Sequence, residues 1–221
     1  MVFIVYDLEM TVRRKKSQIA EIIEIGAVKL VEADGKAEIA GTFQALVRPS
    51  KLTGIKENTT VFTGITEEEL AQADRFPDVL RQFIEWIGHE DYYLCAWGPD
   101  DKLQFVRDCR AHQLDMDWIR NHNNLQKQMS RILKREKHQQ VGLKAALELL
   151  EIPFEGAHHR ALDDALNTAK IFQRLYDQFV LERNTVAEDS VYTEEIVYKT
   201  ATEGDEPDSP FAKLAGLFPS K

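Results

Sequence analysis

The feature that most constrains this chain is its first extended segment. Val2-Phe3-Ile4-Val5-Tyr6 is apolar at every position, so neither face is left for water. Such a strand belongs in the middle of a sheet with a layer on each side. It then runs into Asp7-Leu8-Glu9. Residues i and i+2 of a strand share a face, so two acids stand side by side at the end of a buried element. No Lys or Arg lies beside them on that face within the strand. Two readings are open: the strand has reached solvent by Asp7, or a divalent cation compensates the paired carboxylates.

The patterns that follow predict an α/β architecture. Strands are expected over 2–10, 22–31 and 37–47, the last two joined at the turn Asp34-Gly35 and closed by Pro49. Thr66 is placed to N-cap a helix, with Glu69 completing a capping box. Residues 76–86 form an amphipathic helix with Pro77 in its first turn, and 92–97 a fourth strand. Helices are expected over 102–113, 125–137, 143–150 and 161–181. Strands first, then strands interleaved with helices, predict a mixed sheet flanked by helices.

Two more acidic motifs stand at element ends. In His159-Arg160-Ala161-Leu162-Asp163-Asp164 a histidine precedes a helix with acids in its first turn. At helical spacing Asp164 lines up with Thr168, Ile171 and Leu175, a semi-buried line, whereas Asp163 points elsewhere and suits the helix N-terminus. In Trp97-Gly98-Pro99-Asp100-Asp101, Asp100 suits an N-cap and leaves Asp101 spare. Four acids and a histidine suit two-metal phosphoryl chemistry, with a neutral histidine able to take the proton from an attacking water.

These motifs, in this order, resemble those of the DEDDh exonucleases, the superfamily of the DnaQ proofreading subunit and RNase T. The three motifs are Asp7-Leu8-Glu9 with Thr11 behind it, Asp101, and His159 with Asp164. Ile22-Ile23-Glu24-Ile25-Gly26-Ala27-Val28 and Thr63-Gly64-Ile65-Thr66 look like two further segments of that superfamily. Trp97-Gly98-x-x-Asp101, and the stretch from Gly142-Leu143-Lys144 to Asn167-Thr168-Ala169, are closest to the branch of histone-mRNA, RNA-interference and KapD-type exonucleases. The resemblance covers residues 1–182 and implies an RNase H-like fold. It implies 3′→5′ removal of nucleoside 5′-monophosphates from RNA or single-stranded DNA. It also implies Asp7, Glu9, Asp101 and Asp164 as ligands of two Mg2+ or Mn2+ ions, with His159 as general base. Spacing from Trp97-Gly98 favours Asp101 over Asp100, and spacing from His159 favours Asp164 over Asp163. Alternatives are a KapD-type signalling regulator on the same fold and a polymerase proofreading subunit.

Met10, Thr11 and Phe62 are the substrate-contact candidates, Phe62 either stacking on a terminal base or packing in the core. The basic loop Arg13-Arg14-Lys15-Lys16 is either a backbone contact or a solvated loop. The cations Lys127, Arg131, Lys134, Arg135 and Lys137 read as a solvated helix face. Net charge is −9, which counts only weakly against a nucleic-acid partner, since bound cations offset clustered carboxylates locally. Two cysteines, the lack of a signal-peptide pattern and the lack of a long apolar span predict a cytoplasmic protein without a membrane partner. The exonuclease domain is expected over 1–183. Residues 184–221 form an acidic tail, with Phe211, Leu214, Leu217 and Phe218 spaced for docking on a protein partner or on the domain itself.

Overall fold

The computed structural model describes residues 1–11, 20–50, 57–134 and 140–186. The basic loop at Arg13–Lys16, the cations Arg135 and Lys137, and the tail from residue 187 onward lie outside the described residues.

A six-stranded mixed sheet organises the chain, in the order β4-β3-β2-β1-β5-β6. β1 (Val2–Met10), β2 (Ile22–Ala33) and β3 (Lys36–Arg48) form an antiparallel meander. Asp34 and Gly35 turn between β2 and β3 with φ of 50° and 73°, the left-handed pair that a two-residue hairpin requires. β5 (Tyr92–Ala96) runs parallel to β1, and β6 (His122–Asn124) parallel to β5. β4 (Asp74–Arg75) is a two-residue edge.

The apolar run of β1 is buried on both faces, as its composition requires. Ile4, Tyr6 and Leu8 meet α3 (Phe76–Ile87) and α4 (Asp100–Ala111) through Phe83 and Phe105. Phe3 and Val5 meet α5 (Leu125–Ile132), α6 (Leu143–Leu149) and α7 (Ala161–Arg174), with Phe3 5.1 Å from Phe172 between ring centroids. Two short helices precede α3: α1 (Glu57–Thr63), which the sequence does not announce, and α2 (Glu67–Gln72). α2 opens on the expected capping box of Thr66 and Glu69. Among the described residues no helix is long and apolar enough to cross a membrane.

Several expected boundaries shift. α5 ends at Ile132, where Leu133 and Lys134 turn, Lys134 with φ of 53°. α7 ends at Arg174, followed by a 3-10 turn at Tyr176–Gln178, not at residue 181. α4 starts at Asp100 with Pro99 in the cap position and no side-chain cap, so Asp100 is not the N-cap. Nor does the domain's packing stop at residue 183. Asn184 exchanges hydrogen bonds with His122, donating to its carbonyl (2.9 Å) and accepting from its N–H (3.0 Å), and Thr185 bridges to Arg120.

Candidate active site

The end of β1 carries Asp7 and Glu9 on the face that α7 covers. Opposite Glu9 the ladder slips: Glu9 pairs with Glu24 but Met10 with Ile22, a bulge at the acid pair. Bulges re-aim side chains and are common beside active sites. β5 pairs with β1 only as far as Val5 and Cys95. Beyond that point Asp101, in the first turn of α4, accepts the backbone N–H of Leu8 at 3.2 Å. Asp101 is thereby tied between the two β1 acids. Asp101 is buried and Asp100 exposed, as the spacing favours.

α7 brings the fourth acid. Gly26, the β2 partner of Asp7, lets the helix rest on the sheet backbone: a Cβ there would stand 2.1 Å from the carbonyl carbon of Ala161. Asp164 is buried in the first turn and accepts the His159 N–H at 3.0 Å. His159 itself is exposed, with a left-handed φ of 64°. One ligand-capable atom from each of Glu9, His159 and Asp164 lies within 4.8 Å of the others. Asp163 instead accepts from Ala157 at 2.8 Å, and Asn167 clamps Glu155 through its backbone, so the loop before His159 is pinned by α7 itself.

A family model described as Exonuclease matches residues 4–172. PolC-type DNA polymerase III of Thermotoga petrophila is 32% identical over 176 residues, 79% of this chain and 12% of that one. Mouse 3′-5′ exoribonuclease 1 is 32% identical over 167 residues, 70% of this chain and 46% of that one. The chain thus spans less than half the length of these relatives. The nuclease domain of 3′hExo, a DEDDh family member bound to rAMP, has the same fold, with a TM-score of 0.71 at 30% identity. The match covers 83% of this chain and 96% of that one. This chain belongs to the DEDDh exonuclease family. The family is one of hydrolases acting on phosphodiester bonds, and it typically uses divalent metals.

The electrostatics of this DEDDh site are those of crowded, uncompensated carboxylates. Burial, then Asp101, Asp164 and Glu9, raise Asp7 well above the usual carboxylate range. Burial, then Asp164, Glu24 and Asp101, push Glu9 up to about 8. Asp101 is pushed up to about 7, chiefly by burial, against the Leu8 N–H that stabilises its charge. Asp164 is raised by burial, against the His159 N–H. A donor set of four carboxylates that resist ionising is what hard divalent cations match, so the residues fit the family's metals.

Two residues to which the sequence assigns no role by itself support the site. Glu24 is fully buried in β2. Its carboxylate accepts from Arg160 Nη2 at 3.0 Å, from the Ala161 N–H at 3.0 Å and from Gln44 Nε2 at 2.7 Å. The signal was present: one acid in the apolar run Ile22-Ile23-Glu24-Ile25, and an arginine next to His159.

The substrate-contact candidates separate. Phe62 is 57% exposed, and its ring lies 4.0 Å from that of His159 at 37° between planes, which removes the core-packing alternative. Its neighbour Val61 is 82% exposed. Thr11 ties β1 to the chain at Glu21, donating its N–H to the Glu21 carbonyl (2.9 Å) and accepting the Glu21 N–H (3.0 Å). Met10 is half-buried against the core.

Proposed function

We propose that this chain removes nucleotides one at a time from the 3′ end of RNA or single-stranded DNA, releasing nucleoside 5′-monophosphates. The observation that carries the reading is that Asp7, from β1, is raised by burial and then by Asp101 of α4, Asp164 of α7 and its own strand neighbour Glu9, while ligand atoms of Glu9, Asp164 and the exposed His159 lie within 4.8 Å of one another. Two divalent ions, Mg2+ or Mn2+, held by those four carboxylates would stabilise the attacking and leaving oxygens.

His159 is the general base. It is exposed to solvent, on a loop fixed by Asp163 and Asn167. A neutral imidazole there takes a proton as a water oxygen bonds to the terminal phosphorus. The bond from phosphorus to the 3′ oxygen of the preceding nucleotide breaks, and that oxygen leaves with the electron pair, to be protonated from solvent. Phe62 offers an aromatic face beside His159, suited to stacking on the terminal base, a contact worth about 1–3 kcal/mol. Stacking engages the π-face that every base shares, which fits removal of successive nucleotides of any sequence.

The test is direct. Purified protein is incubated with 3′-labelled and 5′-labelled RNA and DNA oligonucleotides and Mg2+, Mn2+ or EDTA. The expected result is metal-dependent loss of the 3′ label as mononucleotide and a descending ladder from the 5′ label. Internal cleavage, or no cleavage with either metal, would overturn the reading.

A further inference from the structure

The edge of the sheet that carries the acids has a second polar feature. Past the end of β6, between the first turns of α4 and α5, lies a cavity of about 270 Å3. Its lining includes Lys102, His122, Lys127 and Arg131, together with Asn123 and Asn184. Lys102 is only 6% exposed and His122 8%. Lys127 and Arg131 are one helical turn apart on α5 and exposed. Glu182, the acid of the lining, lies 4.0 Å from Arg131.

The amides of Asn123 and Asn184 are committed to the fold. Asn123 binds the backbone of Glu182 in both directions, and Asn184 does the same with His122. The Nε2 of His122 is different: it is buried and has no hydrogen-bond partner among the described residues. Burial, then Lys102, lowers His122 to about 3, so the imidazole is neutral and can still donate through one nitrogen. A cavity lined by Lys102, Lys127 and Arg131 beside a neutral histidine suits an anion with several acceptor oxygens.

We propose that this cavity binds a backbone phosphate of the substrate strand, on the 5′ side of the bond being cut. The inference rests on the proposed nucleic-acid substrate. Its location selects a backbone phosphate. β6 is two strands from β1 and parallel to it through β5, about 10 Å away at ordinary strand spacing. Lys102 directly follows Asp101. A strand with its 3′ end at the carboxylates and its body crossing this edge passes over the cavity. With a net charge of −9, the chain needs local cations to hold a polyanion. Lys127 and Arg131 are then substrate contacts and not a solvated face.

The test uses the full chain, the single variants Lys127→Ala and Arg131→Ala, and the double variant. Binding of a labelled single-stranded oligonucleotide is followed by anisotropy in EDTA across a salt series. The expected slope of log K against log salt falls by about 0.7 for each phosphate that the variant no longer neutralises, and affinity drops uniformly across sequences. With Mg2+, the ratio of kcat/KM for the oligonucleotide to that for a dinucleotide, which has no second phosphate, should fall in the double variant. Unchanged salt slope and unchanged ratio would overturn the proposal. So would stabilisation of the wild type alone by inorganic phosphate with oligonucleotide binding unaltered, which marks a free-anion site. Wild-type protein that binds strands but cuts none would sink the exonuclease reading and leave the binding arm decisive.

Discussion

Glu24 and Arg160 form an ion pair of 3.0 Å whose acid is wholly buried and whose arginine side chain is 30% exposed. The same carboxylate receives the first N–H of α7. One side chain of β2 therefore sets the approach of the helix that carries Asp164 and of the loop that carries His159. Glu24→Gln should cost about 1–3 kcal/mol of stability through the weakened charged hydrogen bonds. It should lower activity by moving α7, and it removes one of the charges that raise Glu9. Thermal melts and steady-state rates check this. Full activity with full stability would show that the pair positions nothing.

Gly26→Ala puts a methyl group into the backbone of Ala161 and Leu162, where the available distance is 2.1 Å. Backbone cannot rotate away as a side chain can. Overpacking of this kind typically costs about 1–3 kcal/mol, and here the displaced segment holds Asp164. The variant should lose turnover by far more than it loses Tm, since small misplacements at a site of this kind are costly.

Asp7→Asn and Glu9→Gln should abolish hydrolysis while the fold survives. Both acids are crowded by burial and by their neighbours. Removing one charge from the metal-free protein should hold or raise Tm. Near-wild-type activity in either variant would mean that the carboxylates have been given the wrong role.

The same crowding predicts a pH dependence for the metal-free protein. Glu9 is raised to about 8 and Asp101 to about 7, whereas unfolded values are about 4. Below the unfolded values both states are protonated and no penalty exists. Above the folded values both are ionised, and only the folded state bears the crowding. Stability contributed by these groups is therefore lost as pH rises between about 4 and 8. Tm in EDTA should fall across that window, and Mn2+ should restore most at its alkaline end. A Tm that rises over the same window would contradict the assignment.

His159→Ala should lose rate by about 10²–10⁴-fold and keep its Mn2+ affinity, because the proposed ligands are oxygens. The proximity of His159 to Glu9 and Asp164, within 4.8 Å, gives the affinity measurement its force. A general base must be neutral, so the wild-type rate should fall on the acid side, and that limb should vanish in the variant. A large loss of metal affinity would make the imidazole a ligand.

Truncation after Val186 should leave the rate on a short oligonucleotide intact, since every proposed catalytic residue precedes it. Truncation before Asn184 should cost stability, because Asn184 is hydrogen-bonded to both the N–H and the carbonyl of His122 and Val186 packs against the core. Melts of the two truncated chains separate these outcomes.

What the sequence displayed is what periodicity and local chemistry encode. The apolar run of β1, the Asp34-Gly35 turn and the Thr66 capping box all reduce to neighbours a few residues apart. β6 does not. His122-Asn123-Asn124 is polar and three residues long, and it is a strand because Asn184 and Glu182, some sixty residues on, satisfy it. α1 hides for the opposite reason. Thr59 and Thr63 are buried and bonded to each other (2.9 Å), while Val61 and Phe62 face solvent, so the hydrophobic pattern is inverted. That inversion is itself the mark of the face offered beside His159. Asp101 and Asp164 were legible only as residues at plausible spacings. Glu24 and Arg160 are 136 residues apart, and nothing local joins them.

The acids that meet at the end of β1 come from positions 7, 9, 101 and 164. β1 is the first of the six strands to leave the ribosome, yet its parallel partner β5 ends at Ala96, and the helix that completes the cluster is the last long one among the described residues. A nascent chain, or a proteolytic remnant that stops short of α7, carries the first pair without its counterpart and without the histidine. On the proposed function, hydrolysis therefore requires the finished domain, because the four acids and the histidine come together only once α7 is in place.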